Sequence, residues 1–114
     1  MYVLARRPVV VTLPDEIDVC NAAHVADQLA AAARDNPVVI IDMTATTFCD
    51  GAGTRAILQA YKRATDSGAE LRLAVTAPAV RRLFDLLSVT RLIDVYPSVK
   101  AARSAGGSSS GGKS

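Results

Sequence analysis

Residues 38–58 read VVIIDMTATTFCDGAGTRAIL, and the stretch changes character twice. Val38–Ile41 is an unbroken β-branched run, the pattern of a strand buried on both faces of a parallel or mixed sheet. Residues 42–50 form a polar connection. From about Gly51 the period becomes helical. Ile57, Leu58, Tyr61 and Ala64 fall on one face, Lys62, Arg63 and Asp66 on the other, and Ser67-Gly68 supplies a stop. Strand, loop and helix in that order are the building unit of an α/β protein.

The same reading extends in both directions. Tyr2–Ala5 and Val9–Leu13 are short runs of β-formers around Arg6-Arg7-Pro8, which predicts a hairpin closed by Pro14. Ala22, Val25, Ala26, Leu29, Ala32 and Ala33 recur at helical spacing behind Asn21, a candidate N-cap, and Asn36-Pro37 ends that helix. Leu71–Val75, broken by Arg72, reads as a strand. Pro78 opens a helix with an apolar stripe of Val80, Leu83, Phe84 and Leu87. Ser88–Arg91 is a turn, Leu92–Val95 a short edge strand, and a last helix runs from Pro97 through Arg103. The order β-β-α-β-α-β-α-β-α predicts a single α/β domain over residues 1–103. Its sheet is mixed and mostly parallel, with four to five strands and about four flanking helices. The loops at the carboxyl ends of such strands form the functional edge. Residues 15–21, 44–53 and 76–78 belong there.

Composition narrows the function classes. Half of the 114 residues are hydrophobic and 21% are charged, which fits one globular body. Residues 104–114 are Gly/Ser-rich and read as a flexible tail outside the fold. Net charge is +2 and the arginine pairs at 6–7 and 81–82 are isolated, so no basic face for nucleic acid is predicted. No apolar run approaches the roughly 18–20 residues of a membrane span. Two cysteines, Cys20 and Cys49, do not make a disulfide framework, and a cytoplasmic protein with reduced thiols is expected. No metal site is expected around the lone His24, no cofactor is expected, and no catalytic set is evident.

GAGTRA, residues 51–56, fits the permissive form of the dinucleotide pattern, in which glycines let backbone approach a pyrophosphate. The polar connection after Ile41 argues against it, since that pattern needs its turn at the strand end. The plainer reading is a helix start capped by Asp50. Two glycines there cost about 1 kcal/mol each against alanine. That cost suggests something approaches this backbone closely, and a partner protein would suffice. Cys49 reads as a small buried hydrophobe before it reads as a redox switch. Asp15, Glu16 and Asp18 are clustered acids, suited to helix-dipole support or to contact with a basic partner.

Three segments together resemble the STAS domain of the anti-sigma factor antagonist type. VTLPDEID, residues 11–18, is similar to that family's strand followed by a GEID-like turn. VVIIDMTATTFCDGAGTRAIL resembles its core of strand, Asp, loop, D-S-S-G and helix. LFDLLSVTRLIDVYPSVKAA, residues 83–102, resembles its closing segment. The resemblance implies a mixed sheet with flanking helices and a non-enzymatic regulator. It implies a partner too: an anti-sigma factor, commonly a kinase of the histidine-kinase-like ATPase fold, whose capture frees a sigma factor. In the family, phosphorylation of the second serine of D-S-S-G breaks the complex. Carried across, the aspartate falls on Asp50, the first serine on Gly51, the phosphoacceptor on Ala52 and the closing glycine on Gly53. Ala52 has no hydroxyl and cannot be phosphorylated. Thr54 is the nearest substitute, with Thr44, Thr46 and Thr47 in the preceding loop. Asp15 stands where the family usually has glycine. The expected partner-binding set is Asp50, Gly51, Ala52, Gly53, Thr54 and Arg55, with Asp15 and Asp18 beside it. A homodimer is left open. The alternatives are a STAS subunit docking on an ABC-type ATPase of a lipid transport complex, or a small nucleotide-binding domain.

Overall fold

The structure is a computed structural model and describes residues 7–105. In chain order the elements are β1 (Val9–Thr12), β2 (Glu16–Ile17), α1 (Ala22–Asp35), β3 (Val38–Met43), β4 (Phe48–Cys49), α2 (Gly51–Asp66) and β5 (Glu70–Val75). They continue with α3 (Pro78–Leu86), a 3-10 turn (Val89–Arg91), β6 (Asp94–Tyr96) and α4 (Val99–Ser104). The main sheet has the order β1-β3-β5-β6 with every described pair parallel. The antiparallel hairpin expected at Tyr2–Ala5 lies outside the described residues.

The β-branched run of β3 is buried on both faces, as its composition demands. Val39, Ile41 and Met43 point to one side, where they meet Val25 and Leu29 of α1, Ile57, Ala60 and Ala64 of α2, and Val80 and Phe84 of α3. Ile40 points to the other side and packs with Ala74, Val10, Tyr96, and Val99 and Ala102 of α4. Full burial of side chains such as Ile41 and Phe84 is worth about 1.5–3 kcal/mol each. The first core is therefore the main store of stability. α4 is a small lid on the second.

Four local readings are corrected. Asn21 precedes α1 but makes no cap bond. Its side chain instead donates to the Glu16 carbonyl at 2.9 Å and accepts from Asp18 N at 3.0 Å. Residues 42–50 are not all loop, because β4 pairs in parallel with β2 as a second, two-stranded sheet. The last strand lies at Asp94–Tyr96 because Leu92 and Ile93 still bond back to Val89 O in the turn. Leu87 is exposed, so the buried stripe of α3 is Val80 and Phe84. Gly68 ends α2 at φ 84°, the left-handed geometry that favours glycine.

Arg72 gives β5 its alternation, yet it is 3% exposed. It faces α4 rather than water. Nη1 donates to Ala102 O at 2.8 Å and Nε pairs with Glu70 at 2.9 Å. The guanidinium thus gives a carbonyl near the end of α4 a second and shorter bond beside that from Ala105 N at 3.4 Å, and fastens that helix to the sheet.

Candidate functional site

β1 and β3 end at the same edge of the main sheet, and the small sheet of β2 and β4 is built on their extensions. Thr46 Oγ1, fully buried, donates to Pro14 O at 2.8 Å. Thr47 N and Phe48 N both donate to Asp15 O, at 2.8 and 3.3 Å. Asp50 N donates to Ile17 O at 3.1 Å. The two loops are therefore stitched into one platform. Met43 and Val75 are register partners, so the loop before α3 leaves the sheet beside the residue 44 loop.

α2 starts from this platform. Asp50 is its N-cap: Oδ1 accepts from Gly53 N at 2.9 Å. A carboxylate at this place also meets the positive end of the helix dipole. The Asp50 carbonyl accepts from both Thr54 N, at 2.9 Å, and Thr54 Oγ1, at 3.0 Å.

The two glycines do different things. A Cβ at Gly53 would lie 2.8 Å from both Cys49 Sγ and Ile17 Cγ2, and 3.1 Å from Ile17 O. The close approach inferred from sequence is real at Gly53, but the approaching group is the chain's own small sheet, not a partner. A Cβ at Gly51 would meet nothing within 4 Å. This arrangement is the reverse of a pyrophosphate cradle, since Gly53 faces inward and the Asp50 carboxylate occupies its N–H.

The expected binding set therefore divides. Gly51 and Arg55 are exposed, Ala52 and Asp50 are half-buried, and Asp15 and Asp18 lie on the adjoining loop, exposed and half-buried respectively. Gly53 and Thr54 are buried, Thr54 at 2% exposure with its hydroxyl already engaged. They support the surface from below and do not belong to it. Of the threonines expected as substitute acceptors, Thr46 is buried like Thr54. Thr44 and Thr47 remain exposed, although Thr44 Oγ1 donates to Asp42 at 2.6 Å.

Cys49 is buried, and its Sγ lies 3.8 Å from Thr54 Oγ1. Burial pushes its thiol up from 9.0. The Asp50 charge adds to that, and the Thr54 hydrogen bond opposes it. Such a thiol is a packing group rather than a redox switch. Cys20 is exposed. Asp18 Oδ1 accepts from Cys20 N at 2.8 Å, which fixes the turn into α1.

One residue of this edge escaped the sequence reading. Phe48 is 50% exposed on β4, next to the start of α2. The alternation of β4 carries the signal: Cys49 is buried, so Phe48 must face the other way. A strand of two residues is too short for that alternation to be noticed in advance.

The STAS domain family matches residues 3–102, and the chain belongs to that family. Solved structures agree on the fold. An anti-sigma factor antagonist from Mycobacterium paratuberculosis aligns with TM-score 0.78 at 24% identity, covering 87% of this chain and 85% of its own. The phosphorylated form of SpoIIAA, a Bacillus cell fate determinant, aligns with TM-score 0.63 at 17% identity over 88% and 92%. A sulfate transporter family protein from Wolinella succinogenes aligns with TM-score 0.69 at 15% identity over 90% and 86%. Among the described residues no helix is long and apolar enough to cross a membrane.

Proposed function

We propose that this protein is an anti-sigma factor antagonist, a binding module that captures a kinase-type anti-sigma factor in the cytoplasm and so controls release of a sigma factor. The supporting observation is the platform at the start of α2. Gly51 and Arg55 are exposed and Ala52 is half-buried at a helix start pinned by Asp50, Gly53 and Thr54. A preorganised surface of this kind loses little entropy on docking.

Regulation at this site does not use the family's phosphoserine. Ala52 stands at that position without a hydroxyl, and Thr54, next along, is sealed. The complex is therefore unswitched at residue 52. A phosphate there would add about −1.5 to −2 charges beside Asp50, and that route to dissociation is closed.

The test is direct binding. The purified full chain is titrated against purified anti-sigma factors from its own organism, with sigma release read in the same mixture. Submicromolar capture of one of them with release of its sigma factor is the expected result. Binding to none sinks the proposal. The fold likeness to a sulfate transporter family protein favours one second reading, a STAS module of a transporter. Capture by a purified ABC-type transport ATPase instead of an anti-sigma factor would establish that reading.

A further inference from the structure

We infer that the outward face of the small sheet, Phe48 beside Glu16, anchors the interface by receiving an arginine of the anti-sigma factor. This inference rests on the function proposed above and names the chemistry of its contact.

Glu16 and Phe48 are register partners on adjacent parallel strands. Neighbouring strands lie about 4.8 Å apart, so two side chains on the same face are in reach of one ligand group. Ile17 and Cys49 take the buried face of both strands, which commits Glu16 and Phe48 to the open one. Phe48 is 50% exposed and Val19, on the following turn, is 75% exposed. An aromatic ring left half in water on a rigid backbone is a poor choice for folding and a good one for binding. Its backbone is held by the Asp15 carbonyl. Little order therefore remains to be imposed when a partner arrives.

The charge around the ring selects the occupant. Asp15 and Glu16 are exposed, and Asp18 and Asp50 are half-buried. Among the described residues the ion pairs are Arg72–Glu70 and Arg81–Asp85, so none of these four carboxylates is neutralised. Asp18 and Asp50 spend an oxygen each on backbone N–H groups, whereas the Glu16 carboxylate takes no hydrogen bond among those residues. An aromatic face beside an unpaired carboxylate matches a planar cation. The guanidinium stacks on the ring and pairs with the carboxylate at once. A lysine would satisfy the charge but gains less from the ring. An apolar helix alone would leave the carboxylate desolvated without a partner.

The test uses the full chain and whichever purified anti-sigma factor binds the wild type. Affinity is measured for Phe48→Leu, Glu16→Gln and the double variant at two salt concentrations. Circular dichroism melting verifies the fold of each. Phe48→Leu keeps the apolar contact but loses the π face, and should weaken binding about three- to tenfold. Glu16→Gln should weaken it about tenfold and flatten the salt dependence. The double variant should lose clearly less than the product of the two, because both groups hold one cation. Wild-type affinity in Phe48→Leu, or losses that simply multiply, would overturn the shared guanidinium while leaving the function proposed above intact. Absence of any anti-sigma partner for the wild type would remove both.

Discussion

Gly53 lies so close to Cys49 that a Cβ on it would stand 2.8 Å from the Cys49 sulfur, closer than real Cβ atoms come to a neighbour. That contact locks the first turn of α2 onto the small sheet. The Gly53→Ala variant gains about 1 kcal/mol of helix propensity. It loses more by crowding Cys49, Ile17 Cγ2 and the Ile17 carbonyl, since overpacking costs about 1–3 kcal/mol. A net loss of stability is expected in urea titrations. Gly51→Ala, with open space around it, should be neutral or stabilising. Equal melting of the two variants would show that the small sheet yields easily.

Thr54 supports this turn from within. Its hydroxyl bonds the Asp50 carbonyl at 3.0 Å in a position 2% exposed. Thr54→Val keeps the shape and removes the bond, and should cost about 1 kcal/mol in chemical denaturation. After incubation with the bound kinase and ATP, mass spectrometry should place no phosphate on residues 50–54. Phosphate on Thr54 would mean that the turn opens far more readily than its packing suggests.

How much of this was legible in the sequence follows from element length. β3 carries an unbroken β-branched run and α2 several helical periods, so their type and approximate ends were readable from Val38–Ile41 and from Ile57, Leu58, Tyr61 and Ala64. β2 and β4 have two residues each and no period to read, yet they build the platform. The two glycines looked alike in sequence. Only the positions of Ile17 and Cys49, brought from separate segments, show that one is sterically required and the other is not. The role of Arg72 was hidden for the same reason. Its carbonyl partner is 30 residues away, and nothing local announces it.

Cys49 sets an alkaline limit on stability. Burial holds its folded pKa above the ordinary 9.0, so the unfolded thiol ionises first as pH rises. The unfolded state then binds fewer protons than the folded one, and stability falls with increasing pH from about 9 upward. Below that pH the group has no effect. Cys49→Ala should flatten this alkaline decline in urea titrations between pH 8 and 10, with a general loss from the missing sulfur. Tyr96, also raised from 10.0, mainly by burial, would act in the same direction at higher pH. In the native protein an alkylating reagent should label Cys20 well ahead of Cys49. Equal labelling rates would show an exposed Cys49.

Arg72 should control α4 separately from the main core. Arg72→Leu removes the shorter of the two bonds to the Ala102 carbonyl, leaves it only Ala105 N at 3.4 Å, and frees Glu70. A loss of about 1–3 kcal/mol is expected. Faster amide exchange should appear in Val99–Ser104 and not in α1 or α2. Uniform acceleration throughout the chain would make α4 part of the global unit rather than a lid.

In the function proposed above Ala52 faces the anti-sigma factor, so the decisive measurement is that partner's affinity for the Ala52→Glu variant. Glutamate near the start of α2 suits the helix dipole, so folding and melting should be preserved. Calorimetric titration should show binding weakened at least tenfold by the added charge, while Ala52→Ser binds like the wild type until ATP lets the kinase phosphorylate it. Equal affinity for the wild type, Ala52→Ser and Ala52→Glu, with and without ATP, would place the interface elsewhere on the molecule.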